Sequence, residues 1–327
     1  MLAALTQQTT DAVLMIRPCQ FGWNGQTAVS NTYQAIPTAP PDAVQQQALH
    51  QFEALRSALL QAGVAVHVFD DLPTPHTPDA LFPNNWFSTH EDGTLVLYPM
   101  ATANRRVERR PHLIAALRRD FGFDRVLDLT HFEQAGQFLE GTGSLVLDRR
   151  HRIAYAAQSL RTHAVVLDAF ARELGYRPIL FATHEQRGQP VYHTNVLMSV
   201  GSTLAVVCLQ AIAEARARDL LRTTLRESGR EILEISTDQL MEFAGNLLEL
   251  RDRRGAPLWV MSSRAHAALR PDQRELLAQH GALLHVPLAT IESVGGGGAR
   301  CMLAELFLPR NKDQTGYAAP HGHRTDP

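Results

Sequence analysis

The segments FPNNWF (82–87), EGTGSL (140–145), YHTNVL (192–197), FAGNLL (243–248) and GARCML (298–303) carry the clearest structural signal in the chain. Each is a small or polar cluster that runs directly into an apolar stretch typical of a strand. Asn85, Gly143, Asn195, Asn246 and Cys301 occupy the matching position, at intervals of 51 to 58 residues. This regular spacing indicates five copies of one structural unit.

A second series of residues recurs with the same period. A glycine closes an amphipathic helical stretch just before a short strand at Gly63, Gly122, Gly175, Gly229 and Gly281, at intervals of 52 to 59 residues. Two independent markers that share one period are not expected by chance. They predict a repeat that contains one helix and at least two strands.

A unit of about 55 residues cannot cover both faces of its own sheet, so neighbouring units must supply the missing contacts. Five units fill residues 10–309, which we expect to form a single domain. Cys301 begins the last unit and the N-terminal VLMIRP is strand-like, so we expect the two ends to meet and close a ring. The polar clusters would then converge near the axis, where a functional site is expected.

Composition excludes several classes of protein. The 327 residues carry a formal net charge of −2, which gives no basic field for nucleic acid. No segment reaches the length of a membrane span and the N-terminus lacks a signal-peptide pattern, so we expect a cytoplasmic protein without membrane partners. Three scattered cysteines suggest neither a disulfide framework nor a metal site. Residues 310–327 lose apolar periodicity, and we expect a poorly ordered tail there.

With these motifs, the sequence resembles the pentein superfamily, which includes arginine deiminase, dimethylarginine dimethylaminohydrolase and amidinotransferase-like proteins, and it looks closest to the bacterial citrulline-utilization hydrolase branch. The resemblance covers residues 10 to 309. It implies an α/β fold, a five-bladed propeller of ββαβ repeats with pseudo-fivefold symmetry. It also implies covalent catalysis by a cysteine near the C-terminus, without metal or cofactor.

Three residues at equivalent points of three repeats are the candidate catalytic groups. Cys301 follows the tetraglycine Gly295–Gly298, which allows backbone to approach a ligand closely. By resemblance, Glu140 aligns with the carboxylate of an E-G-G-D motif and His193 with the histidine of an H-x-D or H-x-K motif. We expect Cys301 to attack the substrate carbon, His193 to act as acid and then base, and Glu140 to orient the substrate.

The carboxylate at the amino-acid end of the substrate needs a partner in the protein. Arginine is the expected residue, because a guanidinium binds a carboxylate through two parallel hydrogen bonds. Arg105, Arg106 and Arg161 stand at positions that resemble carboxylate-binding arginines of the family, and Asp79 matches a further site residue. For each arginine, a solvated surface charge is the competing interpretation. For Asp79 it is a loop cap.

Departures from the family pattern bear on the substrate. Deiminases commonly carry Asp where this chain has Asn85, Gly143 and Asn195. An asparagine both donates and accepts hydrogen bonds and can hold a neutral ureido group as well as a cation. Asn84 and Asn85 therefore favour citrulline, or an arginine dihydrolase that passes through citrulline, over a strict arginine deiminase.

Two alternatives stay open at this point. Transfer of the amidino group to an amine acceptor would use the same nucleophile, and a non-catalytic pentein that binds a large partner would need none of the three candidate groups. The expected partner is a small guanidino or ureido amino acid. Oligomeric state is open, with a homodimer as one candidate assembly.

Overall fold

The computed structural model describes residues 7–186 and 188–309, and the expected tail at 310–327 lies outside them. Fifteen strands in this part of the chain form five separate three-stranded sheets, one for each predicted unit. The strands are β1 (Ala12–Arg17), β2 (Ala65–Asp70), β3 (Phe87–Thr89), β4 (Thr94–Leu97), β5 (Arg125–Asp128), β6 (Leu145–Asp148), β7 (Ile153–Gln158), β8 (Arg177–Ala182), β9 (Met198–Val200), β10 (Leu204–Val207), β11 (Glu231–Glu234), β12 (Leu248–Arg251), β13 (Pro257–Ser262), β14 (Ala282–Val286) and β15 (Ala304–Glu305).

Every sheet repeats one topology. The first two strands of a unit pair antiparallel, and the second and third pair parallel after a crossover that contains a helix, as in β6–β7–β8 and β3–β4–β5. This confirms the predicted ββαβ unit. The α-helices are α1 (Gly25–Ala28), α2 (Pro41–Gln61), α3 (Ala103–Arg106), α4 (Pro111–Phe121), α5 (Gly141–Ser144), α6 (Ala164–Leu174), α7 (Thr194–Leu197), α8 (Ala215–Glu227), α9 (Thr237–Met241), α10 (Ser263–Ala268) and α11 (Pro271–Gln279).

The crossover helices form where apolar residues recur at helical spacing. In α2 the buried side chains are Val44, Ala48, Phe52, Leu55 and Leu59, which lie on one face and pack beneath the sheet of β15, β1 and β2. Four of the five glycines predicted to end these helices, Gly63, Gly122, Gly175 and Gly229, adopt the left-handed conformation with φ of 69° to 85°. Gly281 does not have a positive φ.

The first sheet contains both ends of the described fold. Strand β1 lies between β2, its parallel partner, and β15, its antiparallel partner, with Leu14 opposite Ala304 and Val13 opposite Glu305. The expectation that the two ends meet is therefore confirmed. Since β15 follows Cys301 almost directly, ring closure also fixes the position of the cysteine.

The marker segments form short turns before the first strand of each unit and are hydrogen-bonded from one unit to the next. Thr142 Oγ1 donates to the Asn84 carbonyl at 3.3 Å, and Thr194 Oγ1 donates to the Ser144 carbonyl at 2.6 Å. Asn246 Nδ2 donates to a backbone carbonyl of the third marker at 2.9 Å. The polar clusters thus converge, as the repeat predicts. Of the helices described here, none is long and apolar enough to cross a bilayer.

Candidate active site

Cys301 lies in a 3₁₀ turn, Ala299–Met302, between the tetraglycine and β15. The glycines are needed for close packing, since a Cβ added at Gly295 or Gly297 would come within 2.9 Å of the Phe82 ring. This contact brings the loop against the marker turn of the first unit, which begins at Phe82. The cysteine lines a small cavity and is only 3% exposed.

Two side-chain amides contact the sulfur. Nδ2 of Asn246 lies 3.4 Å and Nδ2 of Asn195 lies 3.6 Å from Sγ of Cys301. Burial raises the pKa of the Cys301 thiol, while the Asn246 hydrogen bond and then the positive charge of Arg300 oppose that rise. Both amide donors favour the thiolate, because an N–H hydrogen bond is stronger to a charged acceptor.

His193 lines the same cavity and forms a buried hydrogen-bonded pair with Glu140, which does not itself line it. His193 Nε2 lies 2.9 Å from Glu140 Oε2, and Arg161 Nη1 approaches that oxygen at 3.4 Å. Glu140 Oε1 accepts from the backbone N–H of Ala101 at 3.0 Å. Both carboxylate oxygens therefore have protein partners, and these contacts suit Glu140 to orient His193.

His193 and Glu140 differ in charge state, because their surroundings shift the pKa of each group. Burial lowers the pKa of His193 to about 4, although Glu140 opposes the effect, so the imidazole is neutral near pH 7. Burial disfavours the Glu140 carboxylate, but Arg161 and the hydrogen bond from His193 outweigh it and hold its pKa below the ordinary value. With Nε2 held by an ionised carboxylate, Nδ1 is the ring nitrogen left to exchange a proton.

The polar marker residues of the first and second units meet beside this cavity. Asn85 lines it, and its Oδ1 accepts from Arg105 Nη1 at 2.7 Å, whereas Asn85 Nδ2 is buried with no partner among the described residues. Asn84 is fully buried beside it, and neither amide atom has a partner in the described part of the chain. Gly143 packs so closely that an added Cβ would overlap the Asn85 amide and lie 2.7 Å from His193 Nδ1.

The arginines expected to bind a carboxylate separate into different environments. Arg105 lines the cavity, but its bidentate carboxylate partner is Glu108, with Nε to Oε1 and Nη2 to Oε2 both at 2.9 Å. Arg106 does not line the cavity. Its guanidinium donates to the carbonyls of Met100 and Ala101, which corrects the expectation that it faces the substrate.

Arg161 also lines the cavity, and it joins the His193–Glu140 pair to a segment that covers the site, residues 24–35, here called the cover segment. Its Nη2 donates to the Thr27 carbonyl at 2.9 Å and to Ser30 Oγ at 3.0 Å. The other expected residue, Asp79, accepts on Oδ2 from Asn24 at 2.7 Å and from Thr27 at 3.0 Å. Its Oδ1 is buried and without a partner among the residues described.

The cover segment closes the cavity. Asn31 Nδ2 donates to the Gly296 carbonyl and Gln34 Nε2 to the Gly295 carbonyl, each at 3.1 Å. The space that remains accessible to a water-sized molecule is about 10 Å³. An amino acid with a guanidino side chain needs more space than this, so part of the lining has to move before such a molecule enters, and the cover segment contributes Thr27 and Asn31 to that lining.

Three groups of contacts were not among the expected site residues. Asn246 is the marker of the fourth unit, and its alignment with Cys301 in the repeat is the sequence signal that could have identified it. Glu108 lies three residues after Arg105, a spacing that places both on one face of a helical turn. The cover segment has no periodic pattern from which its contacts could be predicted.

Comparisons with known proteins agree with this architecture. The sequence model of a family described as "N,N dimethylarginine dimethylhydrolase, eukaryotic" matches residues 17–308. No curated protein matches the chain significantly.

Solved structures show the likeness of fold. The substrate-bound N-terminal domain of ArgZ, an arginine dihydrolase from the ornithine–ammonia cycle of cyanobacteria, is 18% identical with a TM-score of 0.70, over 91% of this chain and 98% of that one. A complex of AgrE with L-arginine is 16% identical with a TM-score of 0.70, over 92% of this chain but only 41% of the AgrE chain.

A dimethylarginine dimethylaminohydrolase adduct with S-methyl-L-thiocitrulline is 15% identical with a TM-score of 0.63, over 91% of this chain and 99% of that one. At these identities the structures establish the fold, while the family match rests on the sequence itself. The chain therefore belongs to the N,N-dimethylarginine dimethylhydrolase family of the pentein superfamily.

Proposed function

We propose that this protein hydrolyses a C–N bond of a guanidino or ureido amino acid through a covalent intermediate on Cys301. The observation that carries the proposal is the cavity lined by both Cys301 and His193, in which His193 is also hydrogen-bonded to the buried Glu140. Membership in a family of C–N hydrolases supports the reaction class. We further propose that residues 10–309 act as one catalytic domain, because the site draws residues from all five units.

The proposed reaction begins with transfer of the Cys301 thiol proton to Nδ1 of His193. The thiolate attacks the central carbon of the substrate, and the C–N bond breaks as the imidazolium gives its proton to the departing nitrogen. Ammonia or an amine leaves. His193 then removes a proton from water, which attacks the carbon of the thiouronium or thiocarbamate intermediate, and the C–S bond breaks as the imidazolium returns its proton to the sulfur. Glu140 stabilises the imidazolium each time it forms.

A cationic substrate would assist the first step. Burial disfavours the thiolate, and a guanidinium in the cavity adds a positive charge beside it. We therefore expect the reactive ion pair to form only after the substrate has entered.

We propose that the α-amino acid end binds beneath the cover segment. Asp79 Oδ1 offers a carboxylate oxygen for the ammonium, and Arg161 offers guanidinium N–H groups for the carboxylate once Thr27 and Ser30 have moved away. Thr27 donates from its hydroxyl to Asp79 and accepts from Arg161 on its carbonyl, so Asp79 and Arg161 lie on either side of this one residue.

The unpartnered Asn85 Nδ2 supports a substrate, or an intermediate, with a ureido oxygen. That donor can bind the carbonyl of citrulline, whereas a guanidinium has no acceptor to offer it. We propose arginine or a close derivative as the substrate, with citrulline hydrolysed in the same site to ornithine, ammonia and carbon dioxide.

The test supplies the purified protein with arginine, citrulline, methylated arginines, succinylarginine or agmatine and measures ammonia and amine release. Agmatine lacks the carboxylate, so it should be a poor substrate if Arg161 binds that group. Rapid quenching and mass spectrometry should find a substrate-derived adduct on Cys301, and Cys301→Ala should lose both adduct and turnover. Turnover only with an added amine acceptor would indicate amidino transfer. Full activity in Cys301→Ala would refute the proposal.

A further inference from the structure

The structure assigns a positioning role to Asn246: its carboxamide holds the turn that presents Cys301 and donates a hydrogen bond to the sulfur in its thiolate form. This inference rests on the proposed nucleophilic role of Cys301. It adds a residue of the fourth unit to a reaction so far attributed to the second, third and fifth.

The orientation of the Asn246 side chain is set by its contacts. Oδ1 accepts from the backbone N–H of Arg300 at 3.2 Å, which ties it to the residue just before the nucleophile. Nδ2 donates to the Asn195 carbonyl at 2.9 Å and lies 3.4 Å from Sγ of Cys301. A flipped amide would place its oxygen against the Asn195 carbonyl, so these partners favour Nδ2 facing the sulfur.

The surroundings leave little room for that amide to move. Asn246 is 1% exposed, and a Cβ added at Gly298 would come within 2.6 Å of its Oδ1. Gly245, just before it, packs against backbone carbonyls of the third marker. The donor is therefore held in place before any substrate arrives, which is how a preorganised hydrogen bond favours a developing charge.

A second line of evidence comes from the charges near the sulfur. The imidazole of His193 is neutral near pH 7 because burial lowers its pKa, so it brings no positive charge to the resting cysteine. Asn246 and Arg300 are the leading groups that oppose the effect of burial on the thiol. The Arg300 guanidinium donates to Glu305 at 3.0 Å, which partly neutralises it. The Asn246 amide is the more direct support of the thiolate.

The test measures the pH dependence of Cys301 alkylation by iodoacetamide, followed peptide by peptide so that Cys19 and Cys208 do not interfere. Asn246→Asp keeps the shape of the side chain but replaces the donor with an acceptor. We expect it to raise the apparent pKa of Cys301 by about one unit or more, with about tenfold slower alkylation at pH 7. Asn246→Ala should shift the profile in the same direction by a smaller amount.

Gln239→Glu is the matched control, because it makes the same change in another buried amide, which donates to Ala268 and Gln273. It should leave the alkylation profile of Cys301 unchanged. Identical profiles in Asn246→Asp and the unmodified protein would overturn the inference, as would equal shifts in Asn246→Asp and the control.

If the Asn246 variants do not fold, an NMR titration of the unmodified protein still tests the inference. The Nδ2 resonances of Asn246 should shift with pH at the midpoint of thiol titration, and should not do so in Cys301→Ala. A signal that ignores the titration would remove the inference. None of these measurements requires a substrate, so their failure is distinguishable from failure of the proposed reaction, which the Cys301→Ala turnover assay tests separately.

Discussion

Glu140 Oε2 lies between His193 Nε2, at 2.9 Å, and Arg161 Nη1, at 3.4 Å, with all three side chains buried. Burial lowers the pKa of His193 from its ordinary value of 6.5 to about 4. Between these values the unfolded chain binds a proton at this position that the folded chain does not bind. The free energy of unfolding should therefore fall as the pH falls through this window.

The expected loss between pH 6.5 and 4.5 from this residue is about 2 to 3 kcal/mol. The contribution of His193 can be measured by denaturant unfolding at several pH values, with the unmodified protein compared with His193→Gln. The unmodified protein should lose more stability than the variant on acidification. Parallel curves would show that His193 is not held neutral by the fold.

Replacing Gly143 with alanine should impair the site directly. The added Cβ would overlap the amide of Asn85 and press on the His193 ring. We expect a stability loss of about 1 to 3 kcal/mol and a larger fall in kcat/KM, since His193 would be displaced. Gly22→Ala is the control, because nothing lies within 4 Å of its added Cβ. Thermal unfolding and turnover measure both effects, and equal behaviour of the two variants would contradict this geometry.

The Arg105–Glu108 pair should be a structural requirement. Both side chains are buried, so Glu108→Gln leaves a guanidinium without its bidentate partner. We expect a loss of about 3 to 5 kcal/mol in the free energy of unfolding. Arg106→Ala, next to the pair but outside the cavity, should leave KM unchanged. A raised KM in Arg106→Ala would restore that residue as a substrate contact.

Movement of the cover segment should be visible in the fluorescence of Trp23. The protein has three tryptophans; Trp23 precedes the cover segment and is 40% exposed, whereas Trp86 and Trp259 are buried. Titrating arginine into Cys301→Ala should change the emission, and Trp23→Phe in the same background should abolish the change. A change that persists without Trp23 would place the movement elsewhere.

The repeat made much of the fold predictable. Gly122 and Gly175 end their helices in the left-handed conformation, and each marker turn precedes the first strand of its unit. These features depend on residues that are close together in the chain, so a single sequence is enough to predict them. Pairing of side chains between units is different, because it depends on rotamers and on distances through space.

Arg105 and Arg106 illustrate the limit of predicting side-chain contacts from sequence. They are neighbours in one short helical turn and look alike in sequence, yet they project in different directions, one into the cavity and one toward the Met100 carbonyl. Asn246 was visible as a repeat marker, but an amide has no titratable chemistry that suggests a role. Its proximity to Cys301 comes only from the closed ring.

The pairing of β1 with β15 places the two partners almost a full chain apart, with Leu14 opposite Ala304. During synthesis, Cys301 is added after all the strands of the other four sheets, and we expect its turn to become ordered when the last strand docks beside the first. Contacts of such long sequence separation form late in folding. A chain interrupted before this step would lack the assembled cavity, so reactivity toward guanidino compounds should appear only in the finished fold.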